Sequence, residues 1–312
     1  MAIDDSIQEY GATWREALSR DEIRGLLAHD DRRAWLTIGF NWTVVFAAFG
    51  LVAIWPNPLT VVVALFVIGA RQLACAAVMH DAAHRALFRS RALNDWAGNW
   101  LGAYPIWSDT DRYRPYHLQH HGKTAGPEDP DLGLVRPFPI TRRSLRRKVW
   151  RDLSGRTGWK FARGAWQRSF ARARTDPAAR KAAIGVLVSN LVLFVVLALV
   201  GWPLLYLLWV GAWFTTYTLV TRVRAIAEHA MTPGAFEPDD PLRHTRTVLA
   251  RWWERFFIAP NRLHFHLEHH LLMTVPHYNL PRMHRLLAER GALREACVER
   301  SYWRILRRAA SA

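Results

Sequence analysis

Cysteine is scarce in this sequence, with two residues among 312. Cys75 lies in an apolar segment and Cys297 lies near the C-terminus, a distribution that favours neither a disulfide framework nor a cysteine metal site. The chain also lacks a His-Pro-Gly-Gly haem motif, a glycine-rich dinucleotide loop and a cysteine set for an iron–sulfur cluster. The sequence therefore contains no recognisable motif for a redox cofactor of these three kinds.

Charged residues are absent from two long windows, residues 34–70 and 182–221. A membrane-spanning helix needs about 20 apolar residues, so each window has room for two spans. Prolines interrupt both windows near the middle, at residues 55–58 and 201–203, where they favour turns. We therefore predict two helical hairpins with four transmembrane helices in total. Buried helices of a soluble protein are the alternative, and uncharged runs of this length argue against it.

Acidic residues are few, because 26 Asp and Glu stand against 42 Lys and Arg, which gives a net charge of +16. Neither hairpin turn carries Lys or Arg, whereas residues 112–181 are rich in both. The positive-inside rule then places both termini and the central segment in the cytoplasm, as in a bacterial inner-membrane protein. We expect no cleavable signal peptide, since no apolar run precedes Ala34. Nucleic-acid binding is disfavoured, because no recognition motif accompanies the basic residues.

These patterns predict a single all-α, integral membrane domain over residues 1–312. An apolar stretch at residues 93–107 is too short for a span, and we interpret it as re-entrant or interfacial. The predicted segments are a cytoplasmic N-terminal segment at 1–33, the first hairpin at 34–70, a cytoplasmic segment at 71–181, the second hairpin at 182–221 and a cytoplasmic segment at 222–312.

Three histidine clusters lie outside the uncharged windows. The first has the spacing i, i+4, and the other two have the spacing i, i+3, i+4, which on a helix places the rings on one face. Because all three fall on the same predicted side of the membrane, we predict that they form one metal site. The clusters are His80 and His84; His117, His120 and His121; and His266, His269 and His270.

The helices that carry these clusters have expected limits. Residues 71–87 contain no proline or glycine, so the second span is expected to continue through the first cluster. Pro115 and Pro260 are expected to mark the starts of the helices of the second and third clusters. His264 would lie roughly 200° from His266 on a helix, so we do not expect it to be a ligand.

An all-imidazole ligand set suits iron, zinc, copper or nickel and argues against magnesium or calcium, which prefer oxygen. Eight ligands are too many for one catalytic zinc ion, which uses about three protein ligands and keeps one position open. The histidine clusters therefore predict two metal ions, without naming the element.

The pattern H-x3-H, H-x2-H-H and H-x2-H-H, with membrane hairpins between and around the clusters, resembles the integral-membrane fatty acid desaturase superfamily. The likeness continues in Asp129-Pro130-Asp131, in residues 224–230 and in residues 275–281. The resemblance implies four transmembrane helices with a cytoplasmic helical cap that holds the metal site. It also implies two non-haem iron ions that use dioxygen to attack an unactivated C–H bond.

Carried over residue by residue, the resemblance implies that the eight clustered histidines are iron ligands and that His229 is the ninth. A helix-end histidine paired with Glu228 is the alternative for His229. Some relatives have Asn at the position of Ala225, where it holds a metal-bound water, so this chain departs from their pattern there.

Four further residues are candidates for an outer layer around the ligands. Asp81 and Glu268 are interpreted as partners that orient ligand imidazoles, with solvated helix charges as the alternative. Glu228 and Asn261 are the other two candidates, although Asn261 follows Pro260 and is also typical of a helix cap.

The resemblance implies a lipid or acyl-chain substrate that reaches the site from the bilayer, and an external electron donor such as a ferredoxin or a small haem protein. An acyl-lipid desaturase is the favoured function. A hydroxylase or ketolase acting on a lipid or carotenoid remains open, because the same site serves both reactions. A metal transporter or sensor is disfavoured: apart from Asn41 and Asn190, the hairpins offer no residue for an ion path.

Overall fold

The computed structural model describes residues 14–312, which are mainly helical. Four helices are long and apolar enough to cross a membrane: Asp31–Ile54, Pro58–Ala83, Pro177–Leu199 and Pro203–His229. The predicted all-α fold with four membrane helices in two hairpins is confirmed. Residues 1–13 of the predicted N-terminal segment lie outside the described residues.

Helix caps and prolines set the two hairpin turns. Asn57 accepts hydrogen bonds from the backbone N–H groups of Leu59 and Thr60 at 3.0 and 3.1 Å. Pro58 occupies the first helical position, where a missing N–H breaks no helical hydrogen bond. In the second hairpin, Gly201 adopts a φ of +86°, which lets the chain leave the helix and turn.

The spans of the two hairpins pack closely because glycine removes a side chain at their crossing. An ideal Cβ at Gly69 would lie 2.2 Å from Thr216 Oγ1 and 2.8 Å from the Tyr217 backbone nitrogen. Any larger residue at position 69 would push the second and fourth spans apart. These two spans carry His80 and His229, so their close packing helps to set the distance between those residues.

The second span continues through the first cluster as predicted, whereas the fourth span is not one continuous helix. The second span ends at Ala83 with His84 as its C-cap, because Arg85 turns into the left-handed region with a φ of +57°. The fourth span is interrupted at Thr215, where φ is −119° and ψ is −83°, and so consists of Pro203–Leu205, Tyr206–Phe214 and Thr216–His229.

The outer surface of the spans is covered with apolar side chains. Leu59, Leu199 and Leu204 are 72, 82 and 76% exposed. A continuous apolar surface of this kind indicates contact with lipid rather than water.

The apolar stretch at residues 93–107 lies against the bundle. It continues from helix Arg91–Ala97 into a π-helix, Gly98–Ala103, and a 3-10 turn, Tyr104–Ile106, packed against the second and third spans. The indole N–H groups of Trp209 and Trp213 donate to the carbonyls of Pro105 and Ile106 at 3.1 and 2.8 Å. This segment is thereby fixed beside the fourth span.

The remaining helices are shorter and support the histidine clusters. They are Arg20–Leu27, Thr110–Lys123, Leu132–Val135, Arg142–Leu153, Arg156–Ala165, Trp252–Phe257, His266–Leu271, Leu280–Glu289 and Tyr302–Ala309, with 3-10 turns at Pro260–Arg262 and His277–Asn279.

The C-terminal segment is joined to the third cluster by a small parallel sheet. Strands Thr247–Val248 and Val298–Glu299 pair with Thr247 opposite Val298. Val248 N also donates to the carbonyl of His264 at 2.8 Å. The start of the third-cluster helix is therefore held by residues about 30 positions further along the chain.

The expected helix starts at Pro115 and Pro260 are wrong. Pro115 lies inside helix Thr110–Lys123, which begins after Asp109 because its carboxylate accepts from Asp111 N at 2.9 Å. Pro260 begins only a 3-10 turn, and the third-cluster helix starts at His266.

Candidate metal centre

The structure brings all nine candidate histidines together in two groups. Within each group, one nitrogen from every histidine lies within 4.8 Å of the others. The first group contains His80, His84, His117, His121 and His269, and the second contains His120, His229, His266 and His270.

Four parts of the chain deliver these side chains. The second span carries His80 and ends at His84, while His229 is the last residue of the fourth span. The short helices Thr110–Lys123 and His266–Leu271 supply the other six histidines and divide them between the two groups. Each short helix therefore spans both groups.

The two groups are adjacent. The rings of His121 and His270, one from each group, stack with their centroids 4.1 Å apart, and those of His117 and His120 are 5.7 Å apart. Two ions bound in these groups would therefore be neighbours in one centre.

The arrangement of the buried imidazole nitrogens is typical of a metal site. His80 Nε2 and both ring nitrogens of His84 are buried without a hydrogen-bond partner among residues 14–312. His266 Nε2 lies 2.8 Å from His229 Nε2, and His269 Nε2 lies 3.0 Å from His121 Nε2. Buried polar atoms normally have partners, and lone pairs that converge in this way suit a shared cation.

The surroundings keep the imidazoles neutral, which is the form that binds metal. Burial holds the pKa of His84, His117, His266, His269 and His270 well below the ordinary 6.5, and neighbouring imidazoles lower it further. At neutral pH these side chains therefore offer lone pairs and do not repel a cation.

Two carboxylates outside the groups form hydrogen bonds with candidate ligand histidines. Asp129 accepts from His120 Nδ1 at 2.8 Å, and Asp81 accepts from His80 Nδ1 at 3.1 Å. A carboxylate bound to Nδ1 fixes the tautomer and leaves Nε2 free to bind metal. Asp81 also accepts from His277 Nδ1 at 2.7 Å, and it is buried, so it is not a solvated helix charge.

The other expected outer-layer residues behave differently. Glu268 is fully buried and accepts from His284 Nδ1 at 2.6 Å, so the expectation that it orients a ligand imidazole is wrong. Because it lies two positions after His266, its side chain points to the opposite side of the helix. Glu228 pairs with Arg224 at 2.5 Å and lies 3.6 Å from His266 Nδ1.

Asn261 is not a helix cap. It has a φ of +51°, no side-chain cap hydrogen bond is present in its turn, and its Nδ2 has no partner among the described residues. It lines a small gap beside His80, Asp81 and His269.

A cavity of about 460 Å³ opens beside the second group. His117, His120, His229 and His266 form part of its wall, and Ala225 lies there as well. Much of the remaining wall is apolar or aromatic: Ile106, Trp107, Leu134, Val135, Phe161, Trp213 and Tyr217. Apolar and aromatic side chains therefore border the histidines in this cavity.

The comparison with known families agrees with this site. The profile of the family described as fatty acid desaturase matches residues 56–303 of this chain. The chain belongs to the fatty acid desaturase family. Dihydrorhizobitoxine desaturase from Bradyrhizobium elkanii is similar, with 27% identity over 251 residues that cover 74% of this chain and 68% of the relative. As a desaturase-family protein with four apolar spans, it is a membrane oxidoreductase.

Sequence reasoning assigned no role to Asp129 or His277, although both lie in motifs that carried the resemblance to desaturases. Asp129 lies in a loop nine residues after His120, and His277 reaches His80 only through Asp81. Helical periodicity cannot predict contacts of residues in loops or of residues far apart in the chain. The family motifs were therefore the only feature of the sequence that could have pointed to Asp129 and His277.

Replacing Asp129 with Asn tests its positioning role. Loss of the carboxylate should weaken the tautomer control of His120 and speed metal release from the second group by about 10- to 100-fold. The measurement is the rate at which a chelator removes metal from the protein, with the release of the first and second metal ion per chain resolved in time. Two kinetic phases are expected for Asp129→Asn, with only one phase accelerated.

Glu128→Gln is the matched control, since the neighbouring Glu128 is exposed and pairs with Lys123 at 2.6 Å. It should release metal like the parent protein. Equal rates for Asp129→Asn and the parent, or equal acceleration of both equivalents, would show that Asp129 does not act through His120.

Proposed function

We propose that this protein is a dioxygen-dependent desaturase that introduces a double bond into the acyl chain of a membrane lipid, with two iron ions bound by the nine histidines. The observation that carries the proposal is the pair of adjacent histidine groups beside a cavity with a partly apolar and aromatic wall. Family membership supports the desaturation chemistry.

The irons would supply the activation of dioxygen that is needed to break an unactivated C–H bond. In the balanced reaction, the substrate loses two hydrogens, an external donor supplies two electrons, and dioxygen with two protons becomes two waters. The protein's contribution is to hold the imidazoles, exclude bulk water and fix the position of the carbon chain.

The cavity walls suit an acyl chain. The indole of Trp107 packs beside that of Trp213 with ring centroids 5.3 Å apart, and both line the cavity with Tyr217. Lys160 and Arg168 also line it and are exposed, so they can contact a polar or anionic head group. A chain held between rigid aromatic rings would present one segment to the histidines.

Two alternatives are distinguished by the product. A hydroxylase or ketolase would use the same histidines and cavity, and differ only in returning oxygen to carbon. The relative is named for dihydrorhizobitoxine rather than for a fatty acyl lipid, so a substrate of that kind is the other alternative. The apolar cavity wall favours the acyl chain.

The transporter alternative gains no support from the two intramembrane asparagines. Asn41 Nδ2 donates to Cys75 Sγ at 3.3 Å, and Asn190 accepts from Tyr206 Oη at 3.0 Å. Both side chains are buried between helices, where they serve packing rather than an ion path.

An external electron donor would bind the exposed basic helix Arg142–Leu153. Arg142, Arg143, Arg146 and Arg147 are exposed and form no ion pair among the described residues. The helix packs against Thr216–His229 and is joined to it by the bond from Arg222 to the fully buried Asp152, at 2.5 and 2.8 Å. An acidic ferredoxin or small haem protein would complement the charge of this face. By the positive-inside rule, this face and both termini would lie in the cytoplasm of a bacterial cell.

Charge reversal tests this face. The double variant Arg146→Glu/Arg147→Glu should slow reduction by an acidic ferredoxin by about tenfold at low salt and flatten its salt dependence. Arg15→Glu/Arg20→Glu makes the same change of net charge on another exposed segment and should behave like the parent. Stopped-flow reduction rates that are equal in both variants would remove helix Arg142–Leu153 from the docking surface.

The reaction itself is tested by lipid analysis. Total lipids from a host that expresses the chain with a compatible donor should contain a species two mass units lighter, absent from a matched His269→Ala culture. Gas chromatography–mass spectrometry after derivatisation locates the double bond. Equal membrane content of the two proteins is the control for insertion.

Other products would change the assignment. A species 16 mass units heavier would indicate hydroxylation and contradict desaturation. Unchanged lipids together with oxidation of added dihydrorhizobitoxine would contradict the acyl-lipid substrate but keep the desaturase. Full activity in His269→Ala would remove His269 from the ligand set.

A further inference from the structure

A second cavity, of about 550 Å³, lies at the end of the first span that is nearest the histidines. Leu36, Thr37 and Phe40 of that span form one side. The opposite side comes from Arg71 of the second span and from the segment between the fourth span and the third cluster. It shares no lining residue with the substrate cavity.

The wall of this cavity is positively charged. Arg71, Arg255 and Arg262 line it, and no Asp or Glu of residues 14–312 does. None of the three arginines forms an ion pair among residues 14–312. The cavity therefore attracts anions and has no acidic group to bind an ammonium head group.

Arg71 is the strongest reason to expect a bound anion, because its charged side chain is buried and the residue is only 3% exposed. Its Nη2 donates to the carbonyl of Phe256, and its guanidinium lies over the Phe256 ring at 4.5 Å. Its Nε has no hydrogen-bond partner among residues 14–312. A buried cation without a counter-ion is unfavourable, and an anion bound in the cavity would supply the missing charge.

Other polar side chains complete the wall. His264 is 4% exposed, and within the described part of the chain neither its Nδ1 nor the Asn261 amide nitrogen has a hydrogen-bond partner. Thr37 Oγ1 and His277 Nε2 lie 3.1 Å apart on the same wall. Oxygen atoms of a phosphate can accept from several of these groups at once.

An apolar groove continues from this cavity along the first span. It is lined by Trp35, Leu36, Gly39, Phe40 and Thr43, with Arg32 at one end, and shares Leu36 and Phe40 with the cavity. Leu36 and Phe40 are 64 and 57% exposed, and an added Cβ at Gly39 would meet no atom within 4 Å. The groove is open on the outer surface of the first span, and Gly39 leaves open space in it.

We propose that this cavity binds the phosphate of an anionic phospholipid, with one acyl chain in the groove of the first span. The lipid is a resident ligand and not the substrate, because its site has a separate wall and its chain runs along the outside of the bundle. The absence of acidic lining residues favours phosphatidylglycerol over a zwitterionic phospholipid. This inference is independent of the reaction that the histidines catalyse.

Native mass spectrometry of the purified full chain in detergent tests the site. Phosphatidylglycerol, phosphatidylcholine and diacylglycerol with identical chains are titrated separately, and inorganic phosphate and glycerol phosphate serve as free anions. One phosphatidylglycerol per chain should remain bound, at least about tenfold more tightly than phosphatidylcholine or diacylglycerol. Free phosphate and glycerol phosphate should not displace it.

Variants assign the binding to this cavity. Arg255→Gln/Arg262→Gln changes two exposed residues and should weaken phosphatidylglycerol binding by about tenfold or more. Arg304→Gln, an exposed arginine that lines neither cavity, should bind like the parent. Arg71→Gln should lose both the binding and the increase in melting temperature that phosphatidylglycerol gives the parent.

Three results would overturn the proposal. Equal binding of phosphatidylglycerol by the parent and by Arg255→Gln/Arg262→Gln would place the lipid elsewhere. Equal binding of diacylglycerol would show that the phosphate is not recognised. Displacement by free phosphate would identify a soluble anion as the ligand instead of a lipid.

Discussion

The structure depends on one constraint, which is that nine imidazoles must share one largely buried volume. Several of their nitrogens have no hydrogen-bond partner among residues 14–312, and others face each other at about 3 Å. Burial of unpaired polar atoms is unfavourable, so the cluster is stable only if something satisfies the lone pairs. Metal ions do this, and their binding free energy would then contribute to the stability of the folded chain.

Contacts elsewhere in the fold hold the helices that carry the nine histidines in place. Close packing at Gly69 holds the second span against the fourth, and the bond between Arg222 and Asp152 fixes the fourth span to a basic helix. The small sheet at Thr247–Val248 ties the third cluster to the C-terminal segment. Long rigid helices supply only three of the nine histidines, so short helices and loops need these extra attachments to place the other six.

The histidine spacing and the uncharged windows were enough to predict the spans, the hairpin turns and the convergence of the clusters. These features arise from helical periodicity and from the length of a bilayer-spanning helix, both of which are local properties of a sequence. The division of each short helix between two groups was not predictable, because it depends on the angle at which that helix crosses the spans.

Residues that act through contacts between distant segments were the least predictable. Glu268 was expected beside a ligand and instead binds His284, whereas Asp129 and His277 have roles that no spacing indicates. The interruption at Thr215 and the left-handed backbone at Asn261 are likewise set by tertiary packing. Local propensity does not carry that information.

The central claim is that the two histidine groups hold two adjacent iron ions. Protein produced with ⁵⁷Fe and purified under mild conditions can be examined by Mössbauer spectroscopy together with elemental analysis. The account predicts two irons per chain in nitrogen-rich, oxygen-accessible environments, with no inorganic sulfide. A single iron per chain, or full activity with zinc and no iron, would contradict it.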